Sequence, residues 1–142
     1  MSRIISFKGR LDSGDIENIP LHTQNGSIGY KITKFQIIGV SENQTSEGTC
    51  KIFKTQPTTA TSSIDFSDNR LIGVATFGDS SATPGNASAI VLFDNEIFNQ
   101  DIYLTWLDGF ANKINYYIEL EQMDLALDET TVATLKDIRN ND

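Results

Sequence analysis

The sequence has few of the residues on which most catalytic and metal sites depend. Its 142 residues include one cysteine, Cys50, and one histidine, His22. A single cysteine excludes an intrachain disulfide, and no cysteine and histidine pattern for zinc is present. Any catalytic triad would need His22, and no serine has a nucleophile-elbow sequence around it. We therefore expect no catalytic residue and no cofactor, with His22 at the surface or structural and Cys50 a small buried hydrophobe.

Positive charge and long apolar runs are also scarce. Eleven lysine and arginine residues stand against nineteen acidic ones, which gives a formal net charge of -8. Such a field repels phosphate backbones and anionic lipid surfaces, so neither nucleic acid nor a membrane is an expected partner. No apolar stretch approaches the roughly 20 residues that span a bilayer. Charges interrupt the N-terminal segment, which does not have the pattern of a signal peptide.

Acidic residues are plentiful, and some of them share a predicted strand face or loop. Glu119 and Glu121 lie on one strand face, where a glycosidase-like pair is conceivable, but solvated charge is the favoured interpretation. Two other groups offer oxygen atoms to calcium without the EF-hand spacing: Asp12, Asp15 and Glu17, and Asp65 and Asp68. We predict no metal site from these patterns.

Alternation of apolar and polar residues predicts β-strands along most of the chain. Residues 3–11 alternate regularly, and a longer strand is predicted for residues 28–40. Within the longer strand the apolar parity changes at Thr33-Lys34. A β-bulge would produce this change, and burial on both faces is the alternative explanation.

Three segments have features that predict a particular place in a sheet. Pro20 interrupts the apolar residues 16–21, which predicts an edge strand or an irregular segment. Asn25-Gly26 is the strongest hairpin signal in the chain, because both residues tolerate positive φ. Residues 89–93 form a continuous apolar run, which predicts a buried strand.

Two later strands have clear buried faces. Their predicted core residues are Ile102, Leu104 and Trp106 in one strand and Ile114, Tyr116, Ile118 and Leu120 in the other. Tyr103 and Tyr117 have the opposite parity. We therefore predict that these two tyrosines contact a partner and that Trp106 is buried.

Only the C-terminus has helical periodicity. Asp128 can cap a helix, and Val132, Leu135 and Ile138 recur at a spacing of three residues. Residues 128–142 are accordingly predicted to be a C-terminal helical tail. Its apolar stripe is narrow, so Leu135 and Ile138 are expected to contact either the rest of the domain or a partner.

The sequence as a whole predicts an all-β fold. About eight short strands without helical crossovers are typical of a β-sandwich, and we expect the jelly-roll type with the short C-terminal helix described above. The chain has no internal repeat and no linker, so residues 1–142 are expected to form a single domain.

Several stretches resemble small structural proteins of marine tailed phages, such as those of cyanobacteria. They are DSG (12–14), IPLHT (19–23), GY (29–30), KFQI (34–37), FDNEIFNQDIY (93–103), NYYIELE (115–121) and ATLKDIR (133–139). The similarity spans most of the chain, although residues 41–84 carry little of it.

This resemblance implies a virion component, made in the host cytoplasm without a signal peptide. Its expected role is an accessory capsid decoration or cement protein that acts by protein–protein assembly. The implied partners are the major capsid protein or tail proteins, with the chain present as a homo-oligomer or in repeated copies. The alternatives are a tail or fibre-associated virion protein and, from another class, a non-catalytic carbohydrate-binding module.

Overall fold

A computed structural model describes residues 2–23, 27–41, 45–79, 87–93 and 97–125. Within these ranges the chain forms eight β-strands and no helix. The strands are β1 (Ser2–Leu11), β2 (Ile16–Ile19), β3 (Ile28–Gly39), β4 (Ser46–Phe53), β5 (Leu71–Asp79), β6 (Ala87–Leu92), β7 (Ile102–Asp108) and β8 (Ile114–Asp124). The predicted C-terminal helix of residues 128–142 lies outside the described ranges.

The strands form two antiparallel sheets. The order is β1-β8-β3 in the three-stranded sheet and β2-β7-β4-β5-β6 in the five-stranded sheet. The chain passes from one sheet to the other after β1, β2, β3 and β7. The prediction of an all-β fold is confirmed, and the two sheets are consistent with a β-sandwich.

The core lies along β7 and β8, with the faces that the alternation predicted. The side chains that fill it include Ile102, Leu104 and Trp106 from β7 and Ile114, Ile118 and Leu120 from β8, all without exposed surface. Burying an aliphatic side chain of this size stabilises the fold by about 1.5–3 kcal/mol. These two strands, one from each sheet, therefore supply a large part of the packing between the sheets.

One close contact within the five-stranded sheet and one hydrogen bond between the two sheets add to this packing. The Trp106 ring lies over Gly48, where an added Cβ would come within 2.1 Å of the ring, so only glycine fits. Tyr116 Oη on β8 donates a hydrogen bond to Glu17 Oε2 on β2 at 2.5 Å. Because β8 and β2 belong to different sheets, this bond connects the two layers.

A β-bulge in β3 accounts for the change of apolar parity at Thr33-Lys34. The register with β8 shifts between Ile32 and Lys34, and Thr33 Oγ1 donates to the Glu119 carbonyl at 3.2 Å. Tyr30 before the bulge and Phe35 after it are both buried in the core. The bulge thus keeps one face apolar while the sequence parity changes, as predicted.

The hairpin prediction at Asn25-Gly26 is wrong, although these two residues lie outside the described ranges. β2 pairs with β7, whereas β3 pairs with β8 in the other sheet. The chain therefore passes from one sheet to the other between the end of β2 and the start of β3. Turn-forming residues favour a reversal but do not choose the partner strand. The edge position predicted for the segment before Pro20 is confirmed, because β2 ends the five-stranded sheet.

The prediction of a buried strand at residues 89–93 is also wrong. β6 is an edge strand that forms a ladder with β5 alone, and Ile90 and Val91 are 45% and 38% exposed. β6 is the last strand of a five-stranded sheet, and the opposite sheet has only three strands. The described residues therefore leave both faces of β6 partly uncovered. An apolar run indicates an apolar environment, but it does not indicate whether the strand lies at the centre or at the edge of its sheet.

Candidate functional site

The outer face of the three-stranded sheet is uncovered by any described residue. β8 runs along its centre, and each β8 side chain on this face has one neighbour on β1 and one on β3. We call this surface the basic face. Its residues are Ile4, Ser6, Lys8 and Arg10 on β1, Lys31, Lys34, Gln36 and Ile38 on β3, and Asn115, Tyr117, Glu119 and Glu121 on β8.

The charge of the basic face is opposite to that of the chain. It carries four cations and two carboxylates, and hence a net charge of +2, whereas the whole chain carries -8. In the described part of the chain, Lys8, Arg10 and Lys31 form no ion pair within 4.0 Å. These cations therefore remain available to an external partner.

Tyr117 lies at the centre of the basic face, between Lys8 and Gln36 in the strand register. Its hydroxyl donates to Glu119 Oε1 at 2.7 Å, and this hydrogen bond raises the pKa of the tyrosine. The Lys34 Nζ atom lies 6.0 Å from the centre of the tyrosine ring. The ring is thus held between a carboxylate and a cation on an open sheet surface.

The four predicted contact residues do not form one site. Tyr103 is half-buried on the outer face of the other sheet, where its register partners are Asn18 and Phe53. Tyr117 and Tyr103 therefore point away from each other on opposite sides of the molecule. Leu135 and Ile138 lie outside the described residues.

The outer face of the five-stranded sheet is covered where the connection between β4 and β5, residues 54–70, folds over it. We call this surface the loop-covered face. Lys51 lies on it and is only 4% exposed. Its Nζ atom donates to Thr61 Oγ1 at 2.6 Å and to the Ser63 carbonyl at 2.7 Å. Burial lowers the pKa of Lys51, and the nearby Asp68 charge opposes that effect.

A pocket of about 240 Å³ lies between this loop and the sheet. Lys51, Phe53 and Leu71 form its sheet side, and the loop supplies the rest: Pro57, Thr58, Thr59, Thr61, Ser63, Asp65, Asp68 and Arg70. Sequence reasoning missed this pocket. Its single signal in the sequence was a lysine that stands between Cys50 and the apolar pair Ile52 and Phe53.

Two acidic residues in this loop have lowered pKa values for local reasons. Asp68 accepts two hydrogen bonds from the Arg70 guanidinium at 3.0 Å each, and these bonds lower its pKa. Asp65 accepts from Ser67 Oγ at 2.6 Å, which lowers its pKa in the same way. The two carboxylates thus have separate hydrogen-bond partners within the loop.

His22 is a surface residue, as predicted, and is paired with Asp101. Its Nδ1 atom lies 2.6 Å from Asp101 Oδ1, which also accepts from the backbone N–H groups of Leu21 and His22. Burial alone would raise the pKa of Asp101, but these hydrogen bonds lower it to about 2. The pair fastens the chain after β2 to the start of β7.

Cys50 is fully buried, as predicted, and burial raises the pKa of its thiol. The thiolate that a nucleophile or metal ligand requires is therefore disfavoured at this position. Among the residues that the structure describes, no three cysteine, histidine or acidic side chains are grouped to hold a metal ion. The same residues include no helix of the length and apolarity that crossing a membrane requires.

Comparison with known proteins gives no match. No protein-family model, no curated protein and no solved structure is significantly similar to the chain.

Proposed function

We propose that this chain is a structural protein of a tailed-phage virion. In this proposal it is an accessory capsid protein that decorates or cements the shell and has no catalytic activity. The observation that carries the proposal is the basic face, an open and cation-rich sheet surface on an acidic chain. Such a surface is suited to docking on an acidic protein partner, because opposite charges steer the encounter and set its orientation.

The size of the basic face suits a contact that is repeated many times. A standard stable interface uses roughly 20–30 residues on each side. The basic face has twelve, so one such contact is weak. On a shell with many equivalent positions, neighbouring contacts raise the effective concentration of the next one, so weak contacts together hold firmly.

We further propose that the sandwich is a jelly roll, a fold that recurs in viral capsid and lectin domains. In that fold the first strand pairs with the eighth, the second with the seventh, the third with the sixth and the fourth with the fifth. The pairs β1–β8, β2–β7 and β4–β5 support this proposal. β6 departs from it, because its ladder is with β5, although β6 also approaches β3. Fold-level analogy raises the expectation of a capsid role.

The C-terminal tail is part of the same proposal. In this proposal residues 128–142 are a helical tail whose Leu135 and Ile138 dock on the sandwich or on a neighbouring virion protein. A tail or fibre-associated role is the nearest variant of this function. A carbohydrate-binding module is less well supported, because Trp106 is buried and Tyr117 is the one aromatic residue of the basic face.

The proposal is tested by locating the chain in particles of the phage that encodes it. Mass spectrometry of purified virions is expected to detect the chain in many copies, and electron cryomicroscopy is expected to show a β-domain on the shell. In that map the three-stranded sheet faces the capsid protein. Density on the tail would favour the variant role, and absence from purified particles would contradict the virion proposal altogether.

A further inference from the structure

The pocket under the β4–β5 loop contains a buried cation with no counter-ion in contact. Lys51 Nζ has three N–H donors, and two of them go to the neutral acceptors Thr61 Oγ1 and the Ser63 carbonyl. No carboxylate of the described residues lies within ion-pair distance of Lys51. Asp68 attracts Lys51 only from beyond contact distance and offsets its burial in part. Burying a charge without a contacting partner is costly, so an anion beside Lys51 Nζ would relieve a cost that the fold already bears.

The other charges of the pocket do not neutralise Lys51 directly. Asp68 forms a two-point ion pair with Arg70, and Asp65 is turned toward Ser67. Because the Asp68–Arg70 pair is internally balanced and Asp65 is exposed, the sheltered side of the pocket is left with the charge of Lys51. This side of the pocket therefore favours a ligand with a single negative group.

The remaining lining favours hydroxyl groups on the ligand. Thr58, Thr59 and Ser63 line the pocket with hydroxyls, each of which can donate and accept. The Phe53 ring, whose centre is 5.6 Å from Lys51 Nζ, offers an apolar surface on the sheet side. A mixture of hydroxyls with one aromatic ring suits a sugar ring, which has polar edges and apolar C–H faces.

The volume limits the size of the ligand. Pockets for drug-sized molecules begin at about 300 Å³. The pocket beside Lys51 is smaller, at about 240 Å³. We propose that it binds a small hydroxylated carboxylate of the size of one uronic acid unit.

In the proposed complex the ligand carboxylate accepts the third N–H of Lys51. The sugar ring lies between Phe53 and the threonines of the loop. This site is independent of the virion proposal, since it lies on the face opposite the basic face.

The test is a titration of the full chain with sodium D-glucuronate, followed by backbone amide shifts in NMR. D-glucose and acetate serve as comparison probes. We expect saturable shifts confined to residues 51–71, with glucuronate binding about tenfold or more tightly than either probe, because the charged hydrogen bond and the hydroxyl contacts act together. Added salt is expected to weaken the binding of glucuronate.

Amino-acid variants distinguish glucuronate binding at this pocket from a general effect of positive charge. Lys51→Met is expected to weaken glucuronate binding about tenfold or more. Lys34→Met, which removes an exposed lysine from the basic face, leaves it unchanged. Thr59→Ala removes a pocket hydroxyl that does not hold Lys51. This variant is expected to fold normally and to bind glucuronate about threefold more weakly, so it keeps the test valid even if Lys51→Met is unstable.

Three results would each overturn the proposal. They are the absence of saturable shifts in residues 51–71, binding of glucose or acetate as tight as that of glucuronate, and unchanged binding by a folded Lys51→Met or Thr59→Ala variant. Particle association and glucuronate binding can fail independently, so a negative result here does not count against the virion role.

Discussion

The two outer faces of the sandwich carry lysines in opposite environments. Lys34 on the basic face is exposed and close to the ring of Tyr117, whereas Lys51 on the loop-covered face is 4% exposed and donates to Thr61 and Ser63. Both residues belong to strands with one side toward the core. The difference arises from residues 54–70, which fold over one sheet while the other is left open.

This contrast separates two uses of positive charge. On the open face water solvates each cation, so the charge costs little and is available for long-range attraction to an acidic partner. On the loop-covered face the charge is desolvated, so it acts at short range through its hydrogen bonds to the loop. The two faces thus place the same residue type in a solvated and in a desolvated environment.

The largest effect is expected from a matched pair of isoleucines on the three-stranded sheet. Ile118 on β8 is fully buried, whereas Ile38 on β3 is 65% exposed on the basic face. Ile118→Ala is expected to lower the free energy of unfolding by about 2–5 kcal/mol, since it leaves a cavity in the core. Ile38→Ala is expected to change it by less than about 0.5 kcal/mol. Urea denaturation measures both, and equal losses would mean that the two faces are wrongly assigned.

A second pair compares the two lysines directly. Lys51→Met leaves the Ser63 carbonyl without its donor. The free energy of unfolding is therefore expected to fall by about 1–3 kcal/mol. Lys34→Met removes an exposed charge and is expected to change stability by less than about 0.5 kcal/mol. Thermal and urea unfolding of both variants provide the comparison. If Lys51→Met were as stable as Lys34→Met, the loop would not depend on the buried ammonium group.

A smaller, acid-dependent effect is expected at the edge of the five-stranded sheet. The folded pKa of Asp101 is about 2. This value is below the usual pKa of about 3.9 for aspartate in an unfolded chain. The contribution of Asp101 is therefore fully present above about pH 4–5 and is lost as the pH falls toward 2. Asp101→Asn is expected to cost about 1 kcal/mol at pH 7 and to reduce the loss of stability between pH 5 and pH 2.

Urea unfolding at several pH values checks this prediction, with Asp12→Asn as a control carboxylate that is largely exposed. An unchanged pH dependence in Asp101→Asn would show that the hydrogen bonds at Asp101 add nothing to stability.

The sequence predicted features that depend on neighbouring residues. Alternation located the strands that became β7 and β8 and assigned Trp106 and Ile118 to the core. The parity change at Thr33-Lys34 predicted the bulge. These successes have one physical cause, because the burial of one strand face leaves a local pattern with a period of two residues.

Features that depend on distant parts of the chain were not predictable in this way. Asn25-Gly26 indicates a reversal, but the partner of β3 is β8, near the other end of the described chain. Such non-local pairing leaves no mark on the residues beside the turn. The apolar run of β6 cannot indicate that it ends its sheet. The pocket around Lys51 exists because the polar loop of residues 54–70 folds over the sheet. No local sequence pattern indicates that the loop takes this course.

Above all, we expect the basic face to dock on an acidic partner and not to serve stability. The most direct measurement is co-sedimentation of the purified chain with particles that lack it, comparing Lys8→Glu/Lys34→Glu with Lys113→Glu. The double variant reverses two charges on the basic face, and the control reverses one exposed charge after β7, outside that face. Because position 34 lies opposite Glu119, we expect the double variant to lose no more than about 1 kcal/mol of stability. We expect it to lose about tenfold or more in particle binding, while the control keeps its binding. Equal binding by the two variants, with both folded, would contradict the account.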